Sequence, residues 1–248
     1  MKKRIGLLLI ILVCSSPMMT YSSFERDSVL LKETPLATEV SNRLFISSYV
    51  NEIVYVPKNN YDKKAVMNIL YSISAIHPHL LKQMVKNKIH VKLFNGELTD
   101  EPSFMHLKGK RPRGYSEKGV LWNDVPGAGG SKTVYVKIGH SEKGHNHGSV
   151  NLELHELGHT VDRHLLNNIR MHKGFLHVWK AEKDALFPNQ TYFLLYPEEY
   201  FAETFAMYYA SQFTRRQLAH DAPLTYKYLN KVLGDPAYQI NENKVNIY

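Results

Sequence analysis

Residues 151–166 read Asn-Leu-Glu-Leu-His-Glu-Leu-Gly-His-Thr-Val-Asp-Arg-His-Leu-Leu. Asn151 is a suitable N-cap, and Leu152, Leu154, Leu157, Val161, Leu165 and Leu166 supply the apolar positions that a helix buries. On that helix His155 and His159 stand about one turn apart on one face, so both imidazoles reach a single metal ion and Glu156 can hold a water beside it. The string reads as the core of a zinc peptidase site. The alternative is a helix whose histidines are satisfied polar groups at the edge of a core. Gly158 is the one poor helix former in the run, and its bare Cα would let another backbone, such as a substrate strand, approach closely.

A catalytic zinc takes a third protein ligand and keeps one position open. A third histidine soon after the second, in the pattern His-Glu-x-x-His-x-x-Gly-x-x-His, is excluded, because those places hold Asp162 and Leu165. A glutamate from a later helix is the other common solution, and Tyr196-Pro-Glu-Glu-Tyr-Phe-Ala-Glu-Thr-Phe-Ala (196–206) reads as such a helix. Pro197 suits its first turn, and Glu198, Glu199 and Glu203 favour its positive end. Glu199 and Glu203 share a face; spacing leaves open which binds the metal and which orients a ligating histidine. A solvated acidic first turn is the plainer alternative. Asp162 either orients a zinc-bound histidine from the next turn or pairs with Arg163 or solvent.

Three segments in this order carry a likeness to a known family: Trp-Asn-Asp-Val-Pro-Gly-Ala-Gly-Gly-Ser (122–131), Val-Asn-Leu-Glu-Leu-His-Glu-Leu-Gly-His-Thr-Val-Asp (150–162) and Tyr-Pro-Glu-Glu-Tyr-Phe-Ala-Glu-Thr-Phe-Ala-Met-Tyr-Tyr (196–209). From Leu121 to about Leu233 the chain resembles the catalytic domain of the anthrax lethal factor family, and within it the secreted bacterial Pro-Pro endopeptidases. The resemblance implies one zinc ion held by His155, His159 and Glu199, with Glu156 as the base. It also implies a catalytic tyrosine at Tyr192, a substrate-contacting tryptophan at Trp122 and an acidic substrate-site residue at Glu198. Glu203 is then left to orient a ligating histidine. One position departs from the family: a lysine expected two residues before the tryptophan is Val120.

The function this implies is a secreted zinc endopeptidase cutting proline-rich segments between two prolines, with a proline-rich peptide or cell-surface protein as substrate. Glu156 would move the proton, and the Tyr192 phenol would donate to the developing oxyanion. A bond between two prolines has no N–H and favours an extended path, which suits an aromatic platform at Trp122 and a small-residue loop at Pro126-Gly-Ala-Gly-Gly-Ser. Trp122 as a core anchor, and the loop as a simple turn, are the plainer readings. Two other functions share the zinc site: an idle zinc-binding surface or adhesion module, and a lethal-factor-like toxin peptidase acting on host proteins.

Lys2, Lys3 and Arg4 precede an apolar run from Ile5 to Val13 and a small-residue stretch at Thr20-Tyr-Ser-Ser, so residues 1–23 read as a secretory signal peptide. Its removal takes away Cys14, the sole cysteine, and lowers the formal charge from +8 to +5, because three cations and no acid are lost. Export and an extracellular location follow; lipid anchoring through Cys14 is disfavoured by the bulk of Val13. Residues 24–44 read as a polar, weakly structured leader and residues 45–248 as the catalytic domain. The basic cluster 108–113 reads as a solvated loop before an anionic wall contact, and nucleic acid is not an expected partner. A monomer with no membrane span is expected.

The fold class expected is α+β: a small mixed-sheet N-terminal lobe packed on a helical C-terminal lobe, zincin-type, with the active-site helix between them. Strands are expected at Leu44–Val56, Ile89–Phe94 and Thr133–Ile138, and an amphipathic helix at Asp62–Ile76. Further helices are expected at Phe175–Leu186, Pro197–Phe213 and Pro223–Leu233. His140, His145 and His147 lie in a glycine-containing loop and read as solvent-exposed rather than as a second metal site.

Overall fold

The computed structural model describes residues 27–44, 47–112 and 119–234. The expected signal peptide, residues 1–23, and Cys14 within it lie outside the described residues, as does Arg113 of the basic cluster. A five-stranded mixed sheet has the order β1-β2-β3-β5-β4, with β1 at Ser28–Leu30, β2 at Val54–Pro57, β3 at His90–Phe94, β4 at Gly127–Ala128 and β5 at Thr133–Lys137. The three central strands β2, β3 and β5 run parallel, and the short edges β1 and β4 are antiparallel to their neighbours. Val54, Val56, Val91, Leu93, Val134 and Val136 are buried, as expected of parallel strands covered by helices.

Of residues 24–44, expected to be a weakly structured leader, Ser28–Leu30 instead form β1 and Pro35–Leu44 the helix α1. Leu36, Ala37 and Val40 of α1 are buried, and β1 pairs with β2 over its whole length. The expected strand Leu44–Val56 is also corrected. Ser48–Ile53 is a helix, α2, because its buried Val50 and Ile53 recur at helical spacing, and only Val54 onward alternates as a strand.

Two helices cross over between β2 and β3: α3 (Lys63–Ser74) and α4 (Pro78–Lys86). The Asp62 carboxylate caps α3 by accepting the Ala65 N–H at 3.0 Å. Pro78 opens α4, a helix the sequence reading did not anticipate.

After the sheet the chain is helical: α5 (Leu152–His164), α6 (Lys173–Leu186), α7 (Thr191–Leu195), α8 (Pro197–Ala210), α9 (Gln212–Asp221) and α10 (Pro223–Gly234). The single helix expected to reach Phe213 ends at Ala210, because Ser211 is extended and caps α9 through the Thr214 N–H. α5 packs on β4 and β5 on one side and on α8 on the other, which is the two-lobed arrangement expected. No helix among the described residues is long and apolar enough to cross a membrane.

The main core lies between sheet and helices. A smaller one of Phe94, Leu98, Val125 and Tyr135 lies apart from it, with Phe104, Val120 and Trp122 packed on it. Lys92 is fully buried near this second core, held by Glu101 at 2.7 Å and Asp27 at 2.8 Å. An unpaired buried ammonium would cost several kcal/mol, on the order of 3–5, so the pair keys the 97–107 segment to the sheet.

Candidate active site

α5 starts at Asn151, whose side chain accepts the Leu154 N–H at 2.9 Å and donates to Glu153 at 2.8 Å. One face of the helix then presents His155, Glu156 and His159 to a cleft of about 870 Å³. The opposite partner is α8. A Cβ on Gly158 would stand 2.9 Å from the Ala202 Cα, so the bare Cα is needed for α8, and the substrate strand expected at Gly158 is not what it admits.

That close contact brings the first turns of α8 under the imidazoles. Glu199 Oε2 stands 3.3 Å from His155 Nε2 and 3.2 Å from His159 Nε2. Ligands about 2.0–2.1 Å from a tetrahedral zinc lie about 3.3 Å apart, so Glu199 stands from each imidazole at the spacing such an ion requires, and all three ligand atoms lie within 4.8 Å of one another. This is the one group among the described residues arranged to hold a metal, and its donors fit zinc. Glu203, one turn on, accepts from His155 Nδ1 at 3.0 Å and from the Val150 N–H at 2.9 Å. The tertiary arrangement thus separates the two glutamates that spacing left equivalent.

The electrostatics agree. Burial alone would push the His155 imidazole down, but the Glu199 and Glu203 carboxylates outweigh it and carry it up to about 10. Burial would likewise raise Glu199, yet the two imidazoles hold it well below the usual carboxylate range. These atoms share a demand for positive charge that a bound cation meets in place of protons. Burial pushes the Glu156 carboxyl up, against the pull of His155 and His159.

The roof over Glu156 is β4. A Cβ on Gly127 would stand 3.0 Å from Glu156 Cγ, and one on Gly129 would overlap the Glu156 carbonyl oxygen. The small residues of 126–131 are therefore needed for packing on α5 before any role toward substrate. Thr160 takes the Gly130 N–H at 3.0 Å and donates to Ser131, while Arg163 donates to the Gly130 carbonyl at 3.1 Å.

Trp122, Glu198 and Tyr192 all line the cleft. Trp122 is half-buried with its ring tilted over Phe104 at 6.2 Å, so it is both a packed aromatic and an accessible wall. Val120 lines the same wall. Tyr192 rides on α7, edge-on to Tyr196.

Asp162 is fully buried and bonded to Arg170, through its backbone N–H at 3.1 Å and its guanidinium. Neither Arg163 nor solvent is its partner. Of the three loop histidines only His145 is exposed; His140 and His147 are half-buried, and burial lowers both imidazoles. His147 Nε2–H donates to the His140 carbonyl at 2.8 Å, and the residue lines the cleft beside the site. It had no spacing signal in the sequence, since the loop fold alone brings it there.

Known proteins share this architecture. Residues 39–232 match the family model described as anthrax toxin lethal factor, N- and C-terminal domain. A Pro-Pro endopeptidase of Clostridioides difficile strain 630 is 42% identical over 186 residues, spanning 74% of this chain and 82% of its relative. One from Paenibacillus alvei is 35% identical over 188 residues, spanning 76% and 86%. The solved structure of the Pro-Pro endopeptidase from Paenibacillus alvei superposes with a TM-score of 0.71 at 35% identity, covering 75% of this chain and all of that one. With the histidine pair, the glutamate helix and the cleft in place, the chain belongs to the anthrax lethal factor-like family of peptidases, on the branch of the Pro-Pro endopeptidases.

Proposed function

We propose that this protein is a zinc-dependent endopeptidase that acts outside the cell and cuts proline-rich segments between adjacent prolines. The observation that carries the reading is the convergence of His155, His159 and Glu199 beside Glu156, in a cleft walled by Trp122. His155, His159 and Glu199 would hold the ion, and Glu203 would orient His155. Zinc, when bound there, supplies the Lewis acidity that activates water and polarises a carbonyl.

The remaining work belongs to side chains. Glu156 takes the proton of the attacking water and returns it to the leaving nitrogen, a task favoured by a carboxyl raised above its usual range. The Tyr192 phenol donates to the oxygen that becomes negative in the transition state. Trp122, tilted on Phe104, gives a flat apolar face for proline rings, and Glu198 stands beside the substrate path. Apolar Val120 replaces the lysine expected there, so the flanking subsite it lines favours an apolar residue over a polar one. The signal-like residues 1–23 support export.

The test is mass spectrometry of a proline-rich peptide library incubated with the purified protein, with and without a zinc chelator, beside Glu156→Gln. Chelator-sensitive cuts between adjacent prolines, absent from the variant, are expected. Cuts confined to other bonds would discard the proline preference, and a zinc-loaded Glu156→Gln that remains fully active would remove the assigned base.

A further inference from the structure

Tyr192 sits on α7, a helix of five residues that ends where α8 begins. So short a helix has little stability of its own. In a continuous helix the Phe193 carbonyl would accept from the N–H of residue 197, but Pro197 has none. The chain is extended at Tyr196 (φ −116°, ψ 103°), which breaks the ladder again at Leu194. The proline that starts α8 and places Glu199 thereby strips α7 of its C-terminal partners.

α6 makes up the loss. Trp179 Nε1–H donates to the Phe193 carbonyl at 3.2 Å, and Lys183 Nζ donates to the Leu194 carbonyl at 2.6 Å. The two donors are four apart on α6, and the Lys183 ammonium stands 4.4 Å from the centre of the Trp179 ring, so they act as one unit. A cation at this end of α7 also suits the helix dipole. Phe193 itself is buried against Phe187, which fixes the far side of the same turn.

Building on the reading of Tyr192 as the oxyanion donor, we propose that Trp179 and Lys183 are positioning residues for catalysis, holding α7 so that the Tyr192 phenol meets the reacting carbonyl. Neither lines the cleft with Tyr192, so they act on the reaction through α7.

The experiment combines Trp179→Phe with Lys183→Met, which retain the ring and the aliphatic stem, in wild-type and Tyr192→Phe backgrounds. The readouts are kcat, KM and bound zinc with a peptide that the wild type cuts. In the wild-type background kcat should fall on the order of tenfold with KM and zinc unchanged, and Lys183→Arg should retain most of the activity. In the Tyr192→Phe background the same pair should cause no further loss. Losses that multiply beside an impaired Tyr192→Phe, or a change in zinc content instead of kcat, would overturn this inference alone. A fully active Tyr192→Phe would remove the reading of Tyr192 and this inference together.

Discussion

Gly158 of α5 and Ala202 of α8 meet backbone to backbone: a Cβ on Gly158 would stand 2.9 Å from the Ala202 Cα and 3.1 Å from its carbonyl oxygen. Glu199 and Glu203 flank Ala202 on the same helix, so this contact sets how far both carboxylates reach toward the imidazoles. Close approach here is a condition for the metal site, although neither residue carries a ligand.

Gly158→Ala should therefore weaken the site. The helix propensity gain of about 1 kcal/mol is outweighed by overpacking of roughly 1–3 kcal/mol against a backbone that cannot rotate away. A lower urea midpoint and weaker zinc retention in chelator competition are expected. Unchanged zinc affinity would show that the contact does not govern ligand spacing.

Glu203→Gln should keep the fold and lower zinc affinity by about 10- to 100-fold, because His155 Nδ1 loses a charged acceptor. Glu203→Ala should lose more, since the Val150 N–H is then left without its carboxylate as well. Equilibrium dialysis against a chelator measures both; affinity equal to wild type would remove the orienting role.

Alkaline pH should destabilise the protein through its buried phenols. Burial raises the Tyr200 and Tyr209 phenols well above the ordinary value of 10.0. The unfolded chain then loses protons above about pH 10 while the folded one keeps them, so stability falls as pH rises. Each phenol contributes a slope of up to about 1.4 kcal/mol per pH unit, present until pH passes its folded value. Urea midpoints between pH 9 and 11 should fall steeply in wild type and less steeply in Tyr209→Phe; parallel profiles would contradict it.

Glu182 should matter to stability and not to chemistry. Its carboxylate takes the Leu224 N–H at 2.8 Å and both the Thr225 N–H and hydroxyl at 2.7 Å, capping the first turn of α10. Glu182→Ala leaves those donors buried and is expected to cost roughly 2–3 kcal/mol. The urea midpoint should drop while kcat per folded molecule is unchanged; a fall in kcat at full folding would tie Glu182 to the site.

The helix from Leu152, the glutamate helix from Pro197 and strands β3 and β5 are legible in the sequence because their signals are local: a cap, a ligand spacing of four, an apolar period. The leader and the first strand misread for the converse reason. Residues 28–44 look polar on average, yet β1 is specified by pairing with β2, and α1 by a core stripe of only Leu36, Ala37 and Val40.

By itself the sequence determined which groups are available for the proposed chemistry: two imidazoles and a carboxylate on one helix face, and acids at the start of a second helix. Only the tertiary structure decided that Glu199 faces both imidazoles while Glu203 backs His155. It likewise decided that Gly158 admits α8, that Asp162 belongs to Arg170, and that His147 joins the cleft. Periodicity and spacing act within one element, whereas each of these outcomes depends on how segments far apart in the chain are packed together.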